Sequence, residues 1–485
     1  MTSKQNILLN HTTPFNFQAR ILSLFPEIES DETFSLLNLF VDQYLNLTQY
    51  PSLLSWPDYR FPAHIMLKAV LISYAHQGYK SLRKQEDFYK FDLRVRCLFQ
   101  FGTPSYGTIH SFHQALLPCI EDIFVKFNQF IGELDPLLDP SVLFLDGTKI
   151  EANANKMTFV WTAATRKYFM SSWEKLIHLI EKLNGWLKNN HVSYRVTTLK
   201  KPDPQFLFYL DSLFVKLEDQ FDVPIVTGRG HRKHPLQRLH DQFGDIAVRL
   251  FKYAVYEELA KGRNSFSKTD PDATFMHMKW DYYNHTNIFK PAYNVQFGVS
   301  SGYIRVVHVS QNCNDLHDFI PTVKKYHEQY NEYPKMVPAD AGYGSFDNYT
   351  YCENHGIELM MKYSGQNKEG EAITDKNRFR SWAFERTDRG IPICPGGHKM
   401  ELLRVKVSNK GLYPQEVSHY GCSHCQECPL RSKCTRSKYG RKVQICHDLE
   451  RMKRTVKKNM STDEGHQIMV SRSIQAEGWR YQRKL

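Results

Sequence analysis

Apolar residues recur with a period near 3.6 along the first part of the chain, which is the spacing of amphipathic helices. The pattern is clear in DETFSLLNLFVDQYLNL and in PAHIMLKAVLISYAHQG, and TIHSFHQALLPCIEDIFVKFNQFIGEL is predicted to be one helix. The second segment has Pro62 at its entrance and Gly78 at its exit, where helices favour these residues. Short helices with a break at FGTPSYG suit a helix-turn-helix-like DNA-binding domain, although plain helical bundles show the same pattern.

Beyond this region the pattern alternates between strand and helix. In SVLFLDGTKIEANANK, four of the five residues before Asp146 are apolar, which predicts a buried strand that stops at this carboxylate. A mostly helical stretch follows over about residues 157–265, with SSWEKLIHLIEKLNGWLKNN and DQFGDIAVRLFKYAVYEELAKG. AYNVQFGVSS and YIRVVHVSQ then alternate like the strands of a hairpin, with Ser301 and Gly302 at its turn.

Helices and short strands alternate after the hairpin. DLHDFIPTVKKYHEQY predicts an amphipathic helix, KMVPAD a strand that ends in Asp340, FDNYTYCENHG a helix and IELMMKYS a strand. With the helical stretch set aside, this is the element order of an RNase H-like domain. We therefore predict an α+β multidomain protein with an N-terminal helical domain, an RNase H-like α/β core with a large helical insertion, and a Cys-rich basic C-terminal region.

Two of the predicted strands end in an aspartate, Asp146 and Asp340. In such a sheet both carboxylates would face one crevice. Clustered carboxylates can hold the Mg²⁺ ions that support displacement at phosphorus. Each aspartate alone could instead be a turn residue, because Asp before Gly is common in turns. Asp315, in NDLHD, is another acid near this predicted site, and its preferred interpretation is a helix N-cap.

Positive charge is concentrated at the end of the chain. The net charge is +12, and residues 399–485 hold 19 Lys plus Arg against 8 Asp plus Glu, or +11. Such a local field attracts nucleic acid, and a solubilising surface is the weaker interpretation. Candidate contacts to DNA phosphates in the helical region are Lys80, Arg83, Lys84 and Arg94, and near the chain's end Arg431, Lys433, Arg436 and Lys438.

Cysteines cluster within this basic region. GCSHCQECPLRSKC holds Cys422, Cys425, Cys428 and Cys434, and Cys394 lies upstream in ICPGGHK. Paired thiolates at this spacing favour a structural Zn²⁺ site, with an iron–sulfur cluster and no metal at all as the alternatives. The other cysteines are predicted to be packing residues: Cys97, Cys119, Cys313, Cys352 and Cys446.

Three segments of the chain resemble the signature segments of DDE transposases from bacterial insertion sequences: FLDGTKIEANANK, PADAGYGS and VSRSIQAEGW. The resemblance extends to RFPAHIMLKAVLISYAHQGYKSLRKQED and DPDATFMHMK, and it is strongest to the insertion-sequence eleven-eighty-two family. It implies that Asp146, Asp340 and Glu477 are ligands of catalytic Mg²⁺ or Mn²⁺. It also implies strand cleavage at the element ends and transfer of the 3′-hydroxyl into target DNA, with Lys149 as a further DNA contact.

The resemblance also sets the expected organisation and setting. We expect a helical DNA-binding domain over residues 1–135, a catalytic core over 136–365, a Cys-rich insertion over 366–460 and a final core helix over 461–485. Double-stranded DNA is the expected partner, bound by a homodimer. No apolar run approaches the length of a membrane span and no secretion signal is evident, so a cytoplasmic, nucleoid-associated protein is expected.

Eight residues follow Glu477, fewer than the resemblance leads us to expect. A truncated final helix would hold the glutamate poorly, so we expect impaired activity. A non-catalytic DNA-binding remnant is the alternative, and a stand-alone nuclease of RNase H-like fold is a third interpretation.

Overall fold

The computed structural model describes the backbone of residues 31–57, 60–100, 102–199, 203–228, 231–278, 288–366, 373–375 and 377–481, with side chains as far as residue 474. It divides into two compact units. The first comprises Met1–Pro140, Ser300–Arg305 and His327–Glu332; the second comprises Ser141–Val299, Val306–Tyr326 and Tyr333–Leu485.

The first unit is built from helices around one apolar core. Its α-helices are α1 (Glu32–Leu39), α2 (Pro51–Leu54), α3 (Ala63–Gln77), α4 (Leu82–Phe91), α5 (Leu93–Leu98), α6 (Tyr106–Leu116) and α7 (Ile120–Leu134). Helix α3 is central, since its Met66, Leu67 and Val70 are fully buried in that core. It begins after Pro62 and ends at Gly78, as the sequence predicts; Gly78 has a φ of +64°, which a glycine adopts without strain.

The prediction of one continuous helix over TIHSFHQALLPCIEDIFVKFNQFIGEL is wrong. Helix α6 ends at Leu116 and α7 begins at Ile120, with a turn between them that contains Pro118. Proline has no N–H for the helix ladder and its ring collides with the preceding turn. The single proline therefore outweighs an otherwise continuous helical pattern.

The second unit contains a mixed sheet. Strand β1 (Phe144–Glu151) pairs antiparallel with β5 (Phe289–Ser300) over its full length. Both β4 (Thr274–His277) and β6 (Tyr303–Ser310) also pair with β5. The turn between β5 and β6 has positive φ at Ser301 and Gly302, which confirms the predicted hairpin.

Strand β1 has a parallel neighbour on its other side. The N–H groups of Leu143 and Leu145 donate to the carbonyls of Met336 and Pro338, each at 3.1 Å. Because Pro338 has no N–H group, it cannot donate a hydrogen bond back to β1. The segment 336–339 is therefore joined to its neighbours by isolated bridges. A third parallel segment, 357–361, pairs with it through the Met336–Glu358 and Ala339–Met361 bridges. The sheet order is therefore β6, β5, β1, 336–339 and 357–361.

The helical stretch after β1 lies between two short paired strands, β2 (Phe159–Trp161) and β3 (Ser265–Ser267). Between them are α8 (Thr162–Asn189), α9 (Pro204–Gln220) and α10 (Pro235–Ala260), which share their own apolar core. Because β2 and β3 pair with each other, the chain leaves and re-enters the core at nearly the same place.

The remaining elements of the second unit lie before, between and after the parallel segments in the chain. A 3₁₀ turn, Asp315–His317, precedes α11 (Phe319–Tyr330), and α12 (Phe346–Asn354) joins the two parallel segments. A three-stranded antiparallel sheet follows, formed by β7 (Glu401–Ser408), β8 (Gln415–Gly421) and β9 (Lys442–Ile445), with the short α13 (Arg431–Cys434) before β9. Helices α14 (His447–Met460) and α15 (Asp463–Tyr481) end the described chain, and α15 lies beside β1. Helices and sheet are mixed as expected of an α+β protein.

Candidate active site

The two predicted catalytic aspartates lie side by side on neighbouring parallel strands. The Val142–Met336 bridge sets a register that, continued by four residues, pairs Asp146 with Asp340. Adjacent strands are about 4.8 Å apart, and paired residues point to the same side of a sheet. Asp146 is only 9% exposed. The sheet therefore brings together two carboxylates that are far apart in sequence.

The expectation that the first strand stops at Asp146 is wrong. Asp146 is the third residue of β1, which continues to Glu151. The strand continues because β5 offers partners as far as Ala292, which pairs with Glu151. Asp340, by contrast, does end its segment: its Oδ1 accepts the Gly342 N–H at 2.7 Å and closes a turn.

A buried set of polar side chains surrounds this pair. Asp315 Oδ1 accepts hydrogen bonds from Asn294 Nδ2 at 2.7 Å and from Gln296 Nε2 at 3.1 Å. The Tyr343 hydroxyl donates a short hydrogen bond to Gln296 Oε1. Asn294, Gln296 and Tyr343 are fully buried, so these bonds are shielded from water. None of these three residues is among the sequence-based predictions, although two amides inside the apolar strand AYNVQFGVSS are a usable signal.

The prediction that Asp315 caps a helix is also wrong. The residue that caps the 3₁₀ turn Asp315–His317 is Asn314, whose side chain accepts the Leu316 N–H at 3.0 Å. Since Asn314 takes the capping position, the Asp315 carboxylate is directed at the two amides of β5 instead. Asp315 therefore belongs with the site.

Four carboxylates act on one phenol, and we call them the acidic cluster: Asp146, Asp315, Asp318 and Asp340. Burial, followed by these four negative charges, holds the pKa of Tyr343 well above its ordinary value. Burial also raises the pKa of Asp318, although hydrogen bonds from Asn312 and Ser310 act in the opposite direction. The site is thus a volume of concentrated negative potential that favours a bound cation.

Two glycines allow the acidic cluster to be compact. A Cβ at Gly147 would lie 2.7 Å from Asp315 Oδ1 and 2.7 Å from Gln296 Nε2. A Cβ at Gly342 would lie 2.9 Å from Asp340 Oδ1 and 3.8 Å from Asp315 Oδ2. Each glycine follows a predicted catalytic aspartate closely, and at both positions close approach requires the absence of a side chain.

These residues suit Mg²⁺ in chemistry. Carboxylate oxygens are the hard ligands that Mg²⁺ prefers, and the ion commonly uses only one or two of them together with water and substrate phosphate. In the part of the chain that the structure describes, no three His, Cys, Asp or Glu side chains converge as a metal cage. Asp146 and Asp340 supply the pair, while the side chain of the third predicted ligand, Glu477, lies outside the described residues.

The predicted DNA-contacting cations of the first unit fall into two groups. Lys80, Arg83 and Lys84 are exposed around the start of α4. Arg94 is instead paired with two carboxylates. Its Nη1 lies 2.5 Å from Asp31 Oδ2, and its Nη2 lies 2.5 Å from Asp92 Oδ2. A phosphate would have to compete with these two partners, so Arg94 is better described as a structural residue.

The other predicted cations lie in the second unit. Lys149 Nζ donates to the His277 carbonyl at 2.8 Å. Arg431 is also held internally, because it donates to Gln426 Oε1 at 2.8 Å and to the Lys438 carbonyl. The exposed cations near Arg431 in the chain are Lys433, Arg436 and Lys438.

Five cysteines, which we call the Cys cluster, lie near one another: Cys394, Cys422, Cys425, Cys428 and Cys434. The Sγ atoms of Cys394 and Cys422 are 3.8 Å apart. Those of Cys394 and Cys428 are 3.7 and 3.5 Å from the point where a Gly396 Cβ would lie. Burial, with hydrogen bonding to neighbouring thiols, raises the pKa of Cys422 to about 12.

Most of the remaining cysteines are buried as predicted. Cys97, Cys119, Cys352 and Cys446 are buried, but Cys313 is exposed, so its assignment as a packing residue is wrong. It lies in the polar turn after β6, where its neighbours do not enclose it.

Comparison with known families gives two matches, and both fall in the second half of the chain. Two family models, both described as Transposase DDE domain, match residues 263–426 and 393–483. The first match contains Asp340 and the second contains Glu477. No curated protein and no solved structure matches the chain. The two matches support a DDE transposase and thus the nuclease and transposase class of enzymes.

One further finding bears on the setting of the protein. Among the described residues, no helix combines the length and apolarity that a bilayer crossing requires.

Proposed function

We propose that this chain is a DNA transposase of the insertion-sequence eleven-eighty-two type, with Asp146, Asp340 and Glu477 as its metal-binding triad. The observation that carries the proposal is the parallel bridge between Val142 and Met336, whose register, continued by four residues, leads to Asp146 and Asp340. The sheet order β6, β5, β1, 336–339, 357–361 supports an RNase H-like core, because three antiparallel strands are followed by two parallel ones.

The proposed chemistry is strand cleavage at the element ends and attack of the freed 3′-hydroxyl on target DNA. A divalent cation, when bound, would supply charge neutralisation for each in-line displacement at phosphorus. Asp146 and Asp340 would hold it by their carboxylates, with Glu477 from α15, which lies beside β1. Tyr343 stays protonated in this field and keeps its hydrogen bond to Gln296.

DNA binding would use exposed cations in both units. Lys80, Arg83 and Lys84 would contact phosphates through the helical unit, and Lys433, Arg436 and Lys438 would do so beside the Cys cluster. Joining two element ends to one target requires two active sites, so we propose a homodimer on DNA. Its substrate would place the protein at the nucleoid.

A plasmid nicking assay tests the proposal. The substrate is a supercoiled plasmid that carries the coding sequence with its flanking DNA, incubated with purified protein and Mg²⁺. We expect nicking that Asp146→Asn abolishes while salt-dependent DNA binding remains. The matched control is Asp270→Asn, which removes a carboxylate that accepts from the Tyr293 hydroxyl. Binding without Asp146-dependent nicking would instead favour a non-catalytic DNA-binding protein.

We propose that the Cys cluster holds a structural Zn²⁺. Thiolates two residues apart with nearby partners form tetrahedral zinc sites. The support here is the 3.8 Å separation of the Cys394 and Cys422 sulfurs. Such a site would fix the position of residues 431–438, which carry Lys433, Arg436 and Lys438.

Metal analysis of the purified protein tests this. We expect about one zinc per chain, lost in the double variant Cys394→Ser/Cys422→Ser and retained in Cys97→Ser, which alters a buried cysteine of the helical unit. Iron in place of zinc, or no metal in the wild-type protein, would refute the proposal.

A further inference from the structure

We infer that Asp315 is a positioning residue of the proposed active site, where its charge acts on the turn that follows Asp340. The inference rests on the proposed function and deepens it, because Asp315 lies outside the set Asp146, Asp340 and Glu477. The directions in which two buried amides, Asn294 and Gln296, point support it.

The Tyr343 hydroxyl fixes the first of these directions. Its O–H group donates to Gln296 Oε1. Gln296 must then turn its NH₂ group the other way, and there it donates to Asp315 Oδ1 and to Asn294 Oδ1, each at 3.1 Å.

The direction of Asn294 follows from that of Gln296. Because Asn294 Oδ1 accepts from Gln296, its NH₂ group is left to donate to Asp315 Oδ1 at 2.7 Å and to Asp318 Oδ2 at 3.1 Å. Asn294 and Gln296 are both fully buried on β5, so water does not compete for these bonds. Among the described residues, the side-chain hydrogen bonds that hold Asp315 therefore end on Oδ1.

The second oxygen of Asp315 faces the turn after Asp340. The position of a Gly342 Cβ is 3.8 Å from Asp315 Oδ2 and 2.9 Å from Asp340 Oδ1, so the two carboxylates border the same small volume. Asp340 Oδ1 is itself held by the Gly342 N–H at 2.7 Å. The charge of Asp315 thus strengthens the negative potential at Asp340 and the site's attraction for a divalent cation.

Substitution by asparagine separates this charge from the structural role of Asp315. In Asp315→Asn the retained Oδ1 can accept both amide hydrogens, and an uncharged NH₂ replaces Oδ2. A purely structural Asp315 would therefore tolerate the change. If Asp315 acts through its charge, the Asp315→Asn variant should nick DNA like the wild type only at high Mg²⁺ concentration.

The experiment measures Mn²⁺ binding to the DNA-free full chain by electron paramagnetic resonance, together with the Mg²⁺ dependence of plasmid nicking. For Asp315→Asn we expect Mn²⁺ affinity to fall about tenfold and the half-saturating Mg²⁺ concentration to rise about tenfold, since one charge is lost near the cation. The nicking rate at saturating Mg²⁺ should stay within about twofold of wild type. Asp270→Asn should leave all three quantities unchanged.

The outcomes separate the inference from the proposed function. Wild-type Mn²⁺ binding and nicking that require Asp146 but are indifferent to Asp315→Asn would overturn the inference alone. Loss of nicking by Asp315→Asn at every Mg²⁺ concentration would also overturn it, because excess Mg²⁺ should compensate for a charge that acts only on cation affinity. Absence of any Asp146-dependent Mn²⁺ binding or nicking in the wild-type chain would overturn the proposed function, and the inference with it.

Discussion

Gly147 offers the sharpest test of the packing in the candidate active site. The residue follows Asp146 in β1 and pairs with Gln296 of β5. An alanine Cβ there would lie 2.7 Å from both Asp315 Oδ1 and Gln296 Nε2, whereas such contacts normally measure about 3.4 Å. Both polar atoms would therefore have to move by several tenths of an ångström.

The cost of Gly147→Ala follows from these contacts. Overpacking in a buried region costs about 1–3 kcal/mol. Weakening the hydrogen bond from Gln296 to the charged Asp315 adds about 1 kcal/mol. We expect the variant to be less stable by about 3 kcal/mol and to need more Mg²⁺ for nicking.

Urea unfolding and plasmid nicking measure the two effects. The matched control is Gly244→Ala in α10, where a Cβ meets nothing within 4 Å and should stabilise by about 0.5–1 kcal/mol. If Gly147→Ala unfolds at the wild-type urea concentration and nicks like wild type, the compact arrangement of the acidic cluster is refuted.

Three further predictions concern the ion pairs of the helical unit, each read by urea unfolding. Arg94→Ala should destabilise by about 2 kcal/mol, since it leaves Asp31 and Asp92 partly buried without their partner; an unchanged midpoint would contradict the pairing. Burial acts to raise the pKa of Asp31, but the Phe34 N–H and Arg94 outweigh it and leave the pKa below 3.8. A carboxylate whose pKa is lowered by folding stabilises the fold at pH values above its pKa in the unfolded chain, and this stabilisation is lost as the pH falls through the folded-state pKa. In Asp31→Asn, the free energy of unfolding should therefore fall less steeply below about pH 4 than it does in the wild type. Lys68→Met should cost about 3 kcal/mol by removing the buried partner of Asp42 at 2.7 Å, and a gain in stability would show that the pair is dispensable.

The sequence predicts elements well where one physical signal dominates. Helix α3 begins and ends where Pro62 and Gly78 indicate, and the hairpin turn falls at Ser301 and Gly302. Periodicity failed at Pro118, where a single residue without an N–H outweighs the apolar pattern around it. Local chemistry therefore decides boundaries that periodicity alone does not.

The candidate site was predicted only in part, because its main contacts join residues that are distant in the chain. The neighbourhood of Asp146 and Asp340 follows from strand order, which the element sequence contains, and the Val142–Met336 bridge gives the register. The role of Asp315 does not follow from local sequence, since NDLHD reads as a capping motif and Asn314 does cap. What directs Asp315 into the site is Asn294 and Gln296, about twenty residues earlier, and only the folded sheet brings them together.

The position of Asp146 within β1 has a physical explanation in the unequal lengths of the neighbouring strands. On one side β5 accompanies β1 to its end at Glu151, while on the other side the parallel segment turns away after Asp340. The burial of β1 changes at the same point, since Phe144 to Asp146 are buried and the following residues are increasingly exposed. Asp146 thus lies where the sheet loses one neighbour, which opens space beside a carboxylate that the other neighbour still holds rigidly. A strand need not end at a catalytic residue for that residue to face a cleft; it is sufficient that the adjacent strand ends there.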